Sequence, residues 1–271
     1  EYIKKVDVVI ELLDARIPLS SANPMVEELI QGKNHLVILN KADLADSNIT
    51  QAWVSYYKQK GVRAIPVSST SNKDRKKLLS AIKETAAPSI AKWERRGVKN
   101  RSARIMILGI PNVGKSKFIN KFVNKNKARV GNTPGFTRGK QWIKIDEKLE
   151  LLDTPGVLWP KFEDDDVAYN LAITGSIKDD VLQLEHIAIK FLDKLKDLGK
   201  IGNLIKVYHL EEYTTDEEIL GMESHKILEI LEKRLGVSKN DEHNYEIISR
   251  RLMRDYRMGK IGKFFLEFPK N

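Results

Sequence analysis

Gly109-Ile110-Pro111-Asn112-Val113-Gly114-Lys115-Ser116 is the stretch on which the fold turns. It matches G-x-x-x-x-G-K-S and stands between an apolar run, Ile105–Leu108, and a helical segment starting near Lys115. In such a strand–loop–helix setting the glycines let backbone amides turn toward phosphate oxygens. Asn112, Val113, Gly114 and Lys117 then line the cradle, Lys115 reaches the β- and γ-phosphates, and the Ser116 hydroxyl is a magnesium ligand.

Outward from this loop the pattern is α/β. Apolar, β-branched runs at Val6–Leu13, Leu36–Leu39, Ala64–Val67, Ile105–Leu108, Trp142–Ile145 and Leu149–Leu152 read as strands. Helical segments lie between several of them, at Pro24–Ile30, Gln51–Lys60 and Arg75–Lys83. Such alternation predicts a mainly parallel sheet covered on both faces. Ala86–Arg104, with Pro88, Gly97 and many charges, reads as a surface connection. After Glu163 the strand pattern gives way to helical spacing: Leu184, Ile187, Ala188, Phe191 and Leu195, then Leu228, Leu231 and Leu235 behind an N-cap at Ser224. We therefore expect an α/β domain over 1–165 and a small all-helical domain over 166–271.

Two further motifs give the loop its context. Asn40-Lys41-Ala42-Asp43 falls at the C-terminal end of the strand His35–Leu39, where open parallel sheets place ligands. It resembles the guanine-reading N-K-x-D motif of GTPases. A carboxylate at Asp43 can accept from the N1 and N2 protons of guanine, whereas adenine offers an acceptor at N1 and leaves it unpaired. The Lys41 stem can cover the base, and Ser68 and Ser69, after the strand Ala64–Val67, are placed to support it. Asp153-Thr154-Pro155-Gly156 closes the strand Leu149–Leu152. Asp153 would hold magnesium through water, the Gly156 amide would meet the γ-phosphate, and Thr137 in Pro134-Gly135-Phe136-Thr137 would complete the metal shell. The order is the informative part. In an ordinary GTPase the phosphate loop comes first and the base motif late, but here residues 40–43 precede residues 109–116. The expectation is a P-loop GTPase domain with a circularly permuted motif order.

Composition sets bounds on the partners. The 271 residues carry a net charge of +10, unevenly spread. Residues 1–162 hold 30 Lys and Arg against 15 Asp and Glu, residues 163–271 hold 17 against 22, and the last stretch, 247–271, holds 7 against 2. Basic charge concentrated this way suits a polyanion larger than a nucleotide, the plain alternative being a well-solvated surface. No apolar run reaches eighteen residues, the first residues make a poor signal peptide, and there is no cysteine. A reducing cytoplasm fits, and neither a membrane nor DNA is an expected partner. The chain begins at Glu1 rather than Met, which leaves room for upstream residues.

Asp14-Ala15-Arg16-Ile17-Pro18, then N-K-A-D, G-I-P-N-V-G-K-S, P-G-F-T, D-T-P-G-V-L-W-P-K-F and the helical tail together resemble the bacterial ribosome biogenesis GTPase A family over nearly the whole chain. The resemblance implies GTP and GDP as ligands, magnesium as cofactor, and late assembly of the large ribosomal subunit as the role. Its implied partners are precursor particles and ribosomal RNA, with the helical domain as an RNA-binding element. Two positions depart from the family. Lys117 stands where Thr is usual after G-K-S, outside the metal shell. The family's N-terminal segment, with a histidine assigned to hydrolysis, has no match in this sequence.

On this reading Lys115, Thr137 and Gly156 carry the chemistry. Val157 follows D-T-P-G where many GTPases have a water-orienting glutamine, so unaided hydrolysis is expected to be slow. Asn112 sits where related potassium-activated GTPases use asparagine to hold the ion. Switch II would run through Trp159-Pro160-Lys161-Phe162 almost directly into the helical domain, so a γ-phosphate that orders it could reposition that domain. A P-loop kinase or ATPase is argued against by N-K-A-D; a non-enzymatic RNA scaffold with a structural nucleotide site is the other alternative. In the last helix, Arg250, Arg254 and Arg257 form one stripe opposite Tyr245, Ile248, Leu252 and Tyr256. That stripe is the RNA-binding candidate, with solvated arginines on a docked helix as the bland reading and Arg95, Arg96, Lys99 and Arg101 as the next candidate surface.

Overall fold

Seven successive buried residues, Val8–Asp14, make strand β1 in the computed structural model, which describes residues 3–30, 32–68, 75–98, 101–122, 142–152, 164–236 and 244–269. Burial on both faces belongs to a central parallel strand, and an unbroken apolar run is what such a position needs. β1 pairs in parallel with β2 (Asn34–Asn40) and β4 (Ala103–Leu108). With β3 (Arg63–Val67), β5 (Trp142–Asp146) and β6 (Leu149–Leu152) the sheet order is β3-β2-β1-β4-β6-β5. Among the described strands, only the β5–β6 pair is antiparallel. All six runs read from the sequence are strands, and Pro66 is accommodated because β3 lies at a sheet edge, where a missing amide costs no ladder bond.

Among the described residues, four α-helices accompany the sheet. α1 (Pro24–Leu29) starts with proline at its first position behind Asn23, whose side chain accepts from the Met25 amide at 3.0 Å. α2 (Ser47–Gln59) is capped by Asp46 and buries Thr50, Trp53 and Tyr57. α3 (Arg75–Arg95) corrects the sequence reading: it continues through Pro88 to Arg95 instead of ending in a surface connection. An interior proline removes one helical bond, but beyond it Ser89 accepts from Asn34 Nδ2 at 2.8 Å and Trp93 Nε1 donates to Asp7 at 3.2 Å. These bonds tie the far half of the helix to the sheet. α4 is Lys115–Phe122.

The chain divides into two compact units, Glu1–Pro160 with Glu267–Asn271, and Lys161–Leu266. The division falls five residues before the expected boundary, and the last five residues group with the first unit. The reason is Glu267, whose carboxylate is a hydrogen-bond acceptor for residues 19 and 20.

Within the second unit the described residues are helices and turns. α5 (Asp165–Thr174) ends on Gly175, whose φ of +80° suits glycine. α6 (Leu184–Asp197), α7 (Asn203–Tyr208), α8 (Asp216–Gly221), α9 (Ser224–Leu235) and α10 (Asn244–Arg257) follow. Their apolar faces meet: Ile187, Phe191, Leu195, Leu228, Leu231, Ile248, Leu252 and Tyr256 are buried, and the Phe191 and Tyr256 rings lie 4.8 Å apart. Ser224 is not the N-cap of α9. Glu223 is, and the Ser224 hydroxyl donates instead to Asp193 at 2.5 Å.

Candidate functional site

The phosphate-loop segment leaves β4 at Leu108, beside Glu11 of β1, and enters α4 at Lys115. Gly109 is required there, because a Cβ would stand 2.9 Å from the Leu12 carbonyl oxygen. Asn112 and Gly114 both have positive φ, 57° and 99°, conformations open to glycine and tolerated by asparagine. Between them Val113 is fully buried. Phe118, also fully buried, donates its amide to the Gly114 carbonyl at 2.9 Å and so starts α4. Lys115 is 9% exposed, while Asn112, Ser116 and Lys117 are exposed.

Parallel register brings the second motif to the same edge. Asn40 ends β2 opposite Asp14 and opposite Val67 of β3, and Ser68 follows Val67 in a buried position. The Asn40 Nδ2 donates to the Val113 carbonyl at 2.7 Å, and its own carbonyl accepts from the Ala15 amide at 2.7 Å. The asparagine is thus a bracket joining the base motif to the phosphate loop. Lys41 adopts a left-handed conformation, φ 59°, and opens the short 3-10 turn Ala42–Leu44 on which Asp43 is exposed. Among the described residues no partner occupies the Asp43 carboxylate, which leaves it available to a base.

Lys41 is held by a group to which sequence reasoning gave no role. Its Nζ lies 2.9 Å from Asp14 Oδ2, and Arg16 grips the same carboxylate through Nε at 2.9 Å and Nη2 at 2.7 Å. The Arg16 amide also donates to Asp14 Oδ1 at 3.1 Å, and the Asp14 amide donates to Ser21 Oγ at 3.0 Å. Burial alone would raise the Asp14 pKa. The Arg16 and Lys41 charges outweigh it and hold the carboxyl far below the usual range, so it is an anion. The visible signal was Asp and Arg two apart at the end of an apolar run, in Asp14-Ala15-Arg16-Ile17-Pro18.

Ser69, Lys99, Thr137, Asp153 and Gly156, with the segment from Val157 to Phe162, lie outside the described residues. Of the predicted site residues, Asn40, Lys41, Asp43, Ser68, Asn112, Val113, Gly114, Lys115, Ser116 and Lys117 fall on the segments that close β2, β3 and β4, at one edge of the sheet.

The arginine stripe on α10 divides. Arg257 donates to the Ala172 and Ile173 carbonyls at 2.8 and 2.9 Å and bidentately to Asp179 at 2.9 and 2.8 Å. It closes the C-terminus of α5, and its guanidinium holds the Asp179 carboxyl below its ordinary pKa. Arg250 is half-exposed and pairs with Glu246 at 3.0 Å. A cavity of about 630 Å³ beside it is lined by Asp179, Asp180, Glu185, His186 and Glu246 together with Arg250 itself, so acidic side chains already surround this guanidinium. Arg254 is the most exposed of the three, at 64%. Arg257 is therefore a structural residue, whereas Arg254 is mostly in solvent, with its Nε near Asp255 at 3.9 Å. No described helix is long and apolar enough to cross a membrane.

The chain is similar to known proteins over its whole length. A family model described as 50S ribosome-binding GTPase matches residues 104–233. The ribosome biogenesis GTPase A of Bacillus licheniformis is 41% identical over 271 residues, covering all of this chain and 93% of that one. The Bacillus cereus protein of the same name is also 41% identical, with 89% of its length covered. Among solved structures, GDP-bound YlqF of T. maritima superposes with a TM-score of 0.68 over all of this chain and 98% of that chain, at 23% identity, a likeness of fold. With the motif order permuted and the likeness running end to end, the chain belongs to the ribosome biogenesis GTPase A family.

Proposed function

We propose that this protein binds GTP and GDP where β2, β3 and β4 end, hydrolyses GTP, and acts in the cytoplasm in late assembly of the large ribosomal subunit, on precursor particles and ribosomal RNA. The observation that carries the nucleotide part is the bond from Asn40 Nδ2 to the Val113 carbonyl, 2.7 Å, which makes the permuted motifs one site. Asp43 reads guanine, Lys41 covers the base, Ser68 and Ser69 support it, and Lys115 meets the phosphates.

The donor set fits magnesium at its described position. Ser116 presents an exposed hydroxyl in the first turn of α4, beside the lysine that would meet the same phosphates. With Thr137 and Asp153 it would hold the ion, which when bound would offset negative charge developing on the phosphates. Asn112, exposed on the loop, is the residue that would help hold potassium. The valine side chain at 157 cannot hydrogen-bond a water, so another group must orient it, supplied by the particle or by residues upstream of Glu1. Unaided turnover is then on the order of 10⁻⁴–10⁻³ s⁻¹, as for unassisted small GTPases.

Binding to RNA rests on the basic charge of residues 1–162 and of 247–271. On α10 the contact falls to Arg254, with Arg250 paired to Glu246 and beside Asp179 and Asp180, and Arg257 serving the fold. The experiment is steady-state turnover of GTP and ATP with and without large-subunit particles, in potassium and in sodium. GTP-selective turnover that rises with particles and potassium is the expected result. ATP turnover as fast as GTP turnover, or a rate the particles do not change, overturns the reading.

A further inference from the structure

We infer that Glu267, near the C-terminal end of the chain, is a positioning residue for the guanine side of the nucleotide site. Its carboxylate accepts from the Leu19 amide, from the Ser20 amide at 3.1 and 3.2 Å, and from the Ser20 hydroxyl at 2.5 Å. Two consecutive backbone amides and a hydroxyl converging on one carboxylate make a strong, charge-assisted clamp. Ser20 is 2% exposed, so the clamp is shielded from water where it closes.

What the clamp holds is the turn that fixes Lys41. Ser21 follows directly: its hydroxyl donates to the Ile17 carbonyl at 2.7 Å and accepts from the Asp14 amide at 3.0 Å, and the Ile17 amide donates to the Asp14 carbonyl at 3.0 Å. Inside that turn Arg16 and Asp14 form the buried pair whose second cation is Lys41. Lys41 has positive φ, a conformation that a non-glycine residue keeps only when its surroundings insist. The chain of bonds thus runs from residue 267 through 20, 21 and 14 to the residue that covers the base. Loss of the clamp frees the turn, lets Arg16 and Asp14 shift together, and loosens Lys41, while the phosphate loop keeps its own contacts at Gly114 and Phe118.

This inference rests on the base-site reading of Asn40–Asp43, and its test separates the two. Magnesium pyrophosphate reads the phosphate loop alone, whereas GDP reads loop and base together. In competition with a fluorescent GDP, Glu267→Gln should weaken GDP roughly five- to tenfold, the loss of one or two charge-assisted bonds transmitted in part, and leave pyrophosphate unchanged. In a Lys41→Ala background the same substitution should have no further effect on GDP, because its route is already cut. Unchanged GDP affinity in Glu267→Gln, an equal loss for GDP and pyrophosphate, or an undiminished effect beside Lys41→Ala each overturns the inference. If Lys41→Ala and Asp43→Asn themselves leave GDP affinity intact, it is the base-site reading that falls. Pyrophosphate binding by every variant also reports that the loop is folded.

Discussion

Replacing Arg16 with methionine should be among the most damaging single changes in the first unit, although no nucleotide group is assigned to it. The side chain is 1% exposed and makes two bonds, 2.9 and 2.7 Å, to the fully buried Asp14. Methionine keeps much of the volume but leaves the aspartate with one cation, Lys41, which is 22% exposed and can turn to water. Breaking a buried pair from one side costs about 3–5 kcal/mol, because an uncompensated charge stays behind. At about 2–4 °C per kcal/mol for a unit of this size, the melting temperature should fall by roughly 6–20 °C. The double variant Asp14→Leu/Arg16→Met removes both charges, and since apolar replacement of a whole buried pair is often neutral or stabilising, it should melt above Arg16→Met. Thermal unfolding by circular dichroism reads the first quantity, and GDP titration reads a second: both variants should bind GDP more weakly, the double variant because Lys41 has lost its partner and Arg16→Met because the Asp14 carboxylate that holds Lys41 has lost the guanidinium fixing it. A loss under about 1 kcal/mol for Arg16→Met, or a double variant less stable than the single one, would refute the assignment of the penalty to the stranded Asp14 charge.

Other expectations follow from the same contacts. Asp43→Asn should weaken GTP binding and favour xanthine nucleotides, since an amide can donate to the 2-oxo group; unchanged guanine preference in a titration speaks against the base assignment. Arg257→Gln should destabilise the helical unit by about 2–4 kcal/mol through its lost charge-assisted bonds, whereas Arg254→Gln should stay within about 0.5 kcal/mol yet weaken RNA binding; equal effects in denaturant melts would contradict the division of the stripe. The folded pKa of Asp14 is depressed, so its stabilisation is complete above the ordinary carboxylate value, about 3.9, and is lost as pH falls from there toward the folded pKa. The stability gap between wild type and Asp14→Asn should therefore narrow below about pH 4, and a gap constant from pH 6 to pH 3 would sink that claim. Hydrogen exchange over residues 157–176 should differ between GDP and a GTP analogue if the γ-phosphate reaches the helical domain, and identical protection would say it does not.

The legible parts of this fold were those decided locally. The central strands were apolar runs because a doubly covered parallel sheet buries both faces, as Val8–Asp14 does. The phosphate loop was readable because its bends need glycine at 109 and 114 and a lysine at the start of a helix. What escaped was decided by partners distant in sequence. Pro88 looked like a terminator, and only Asn34 and Asp7 show why α3 continues past it. Helical spacing gave the buried face of α10 correctly at Ile248, Leu252 and Tyr256, but it could not tell that Arg257 meets carbonyls of α5 while Arg254 meets solvent. Asn40 was readable as a base-motif residue, and its bracket to Val113 was not, because the two are 73 residues apart.

The most direct test of the proposed role is sedimentation of the protein with large-subunit precursor particles in the presence of a GTP analogue, of GDP, and of neither. We expect co-sedimentation with the GTP analogue, release with GDP, and loss of that difference in Asp43→Asn supplied with guanine nucleotides. Binding that is the same in all three conditions, or absent from large-subunit precursors altogether, would contradict a nucleotide-controlled role in their assembly.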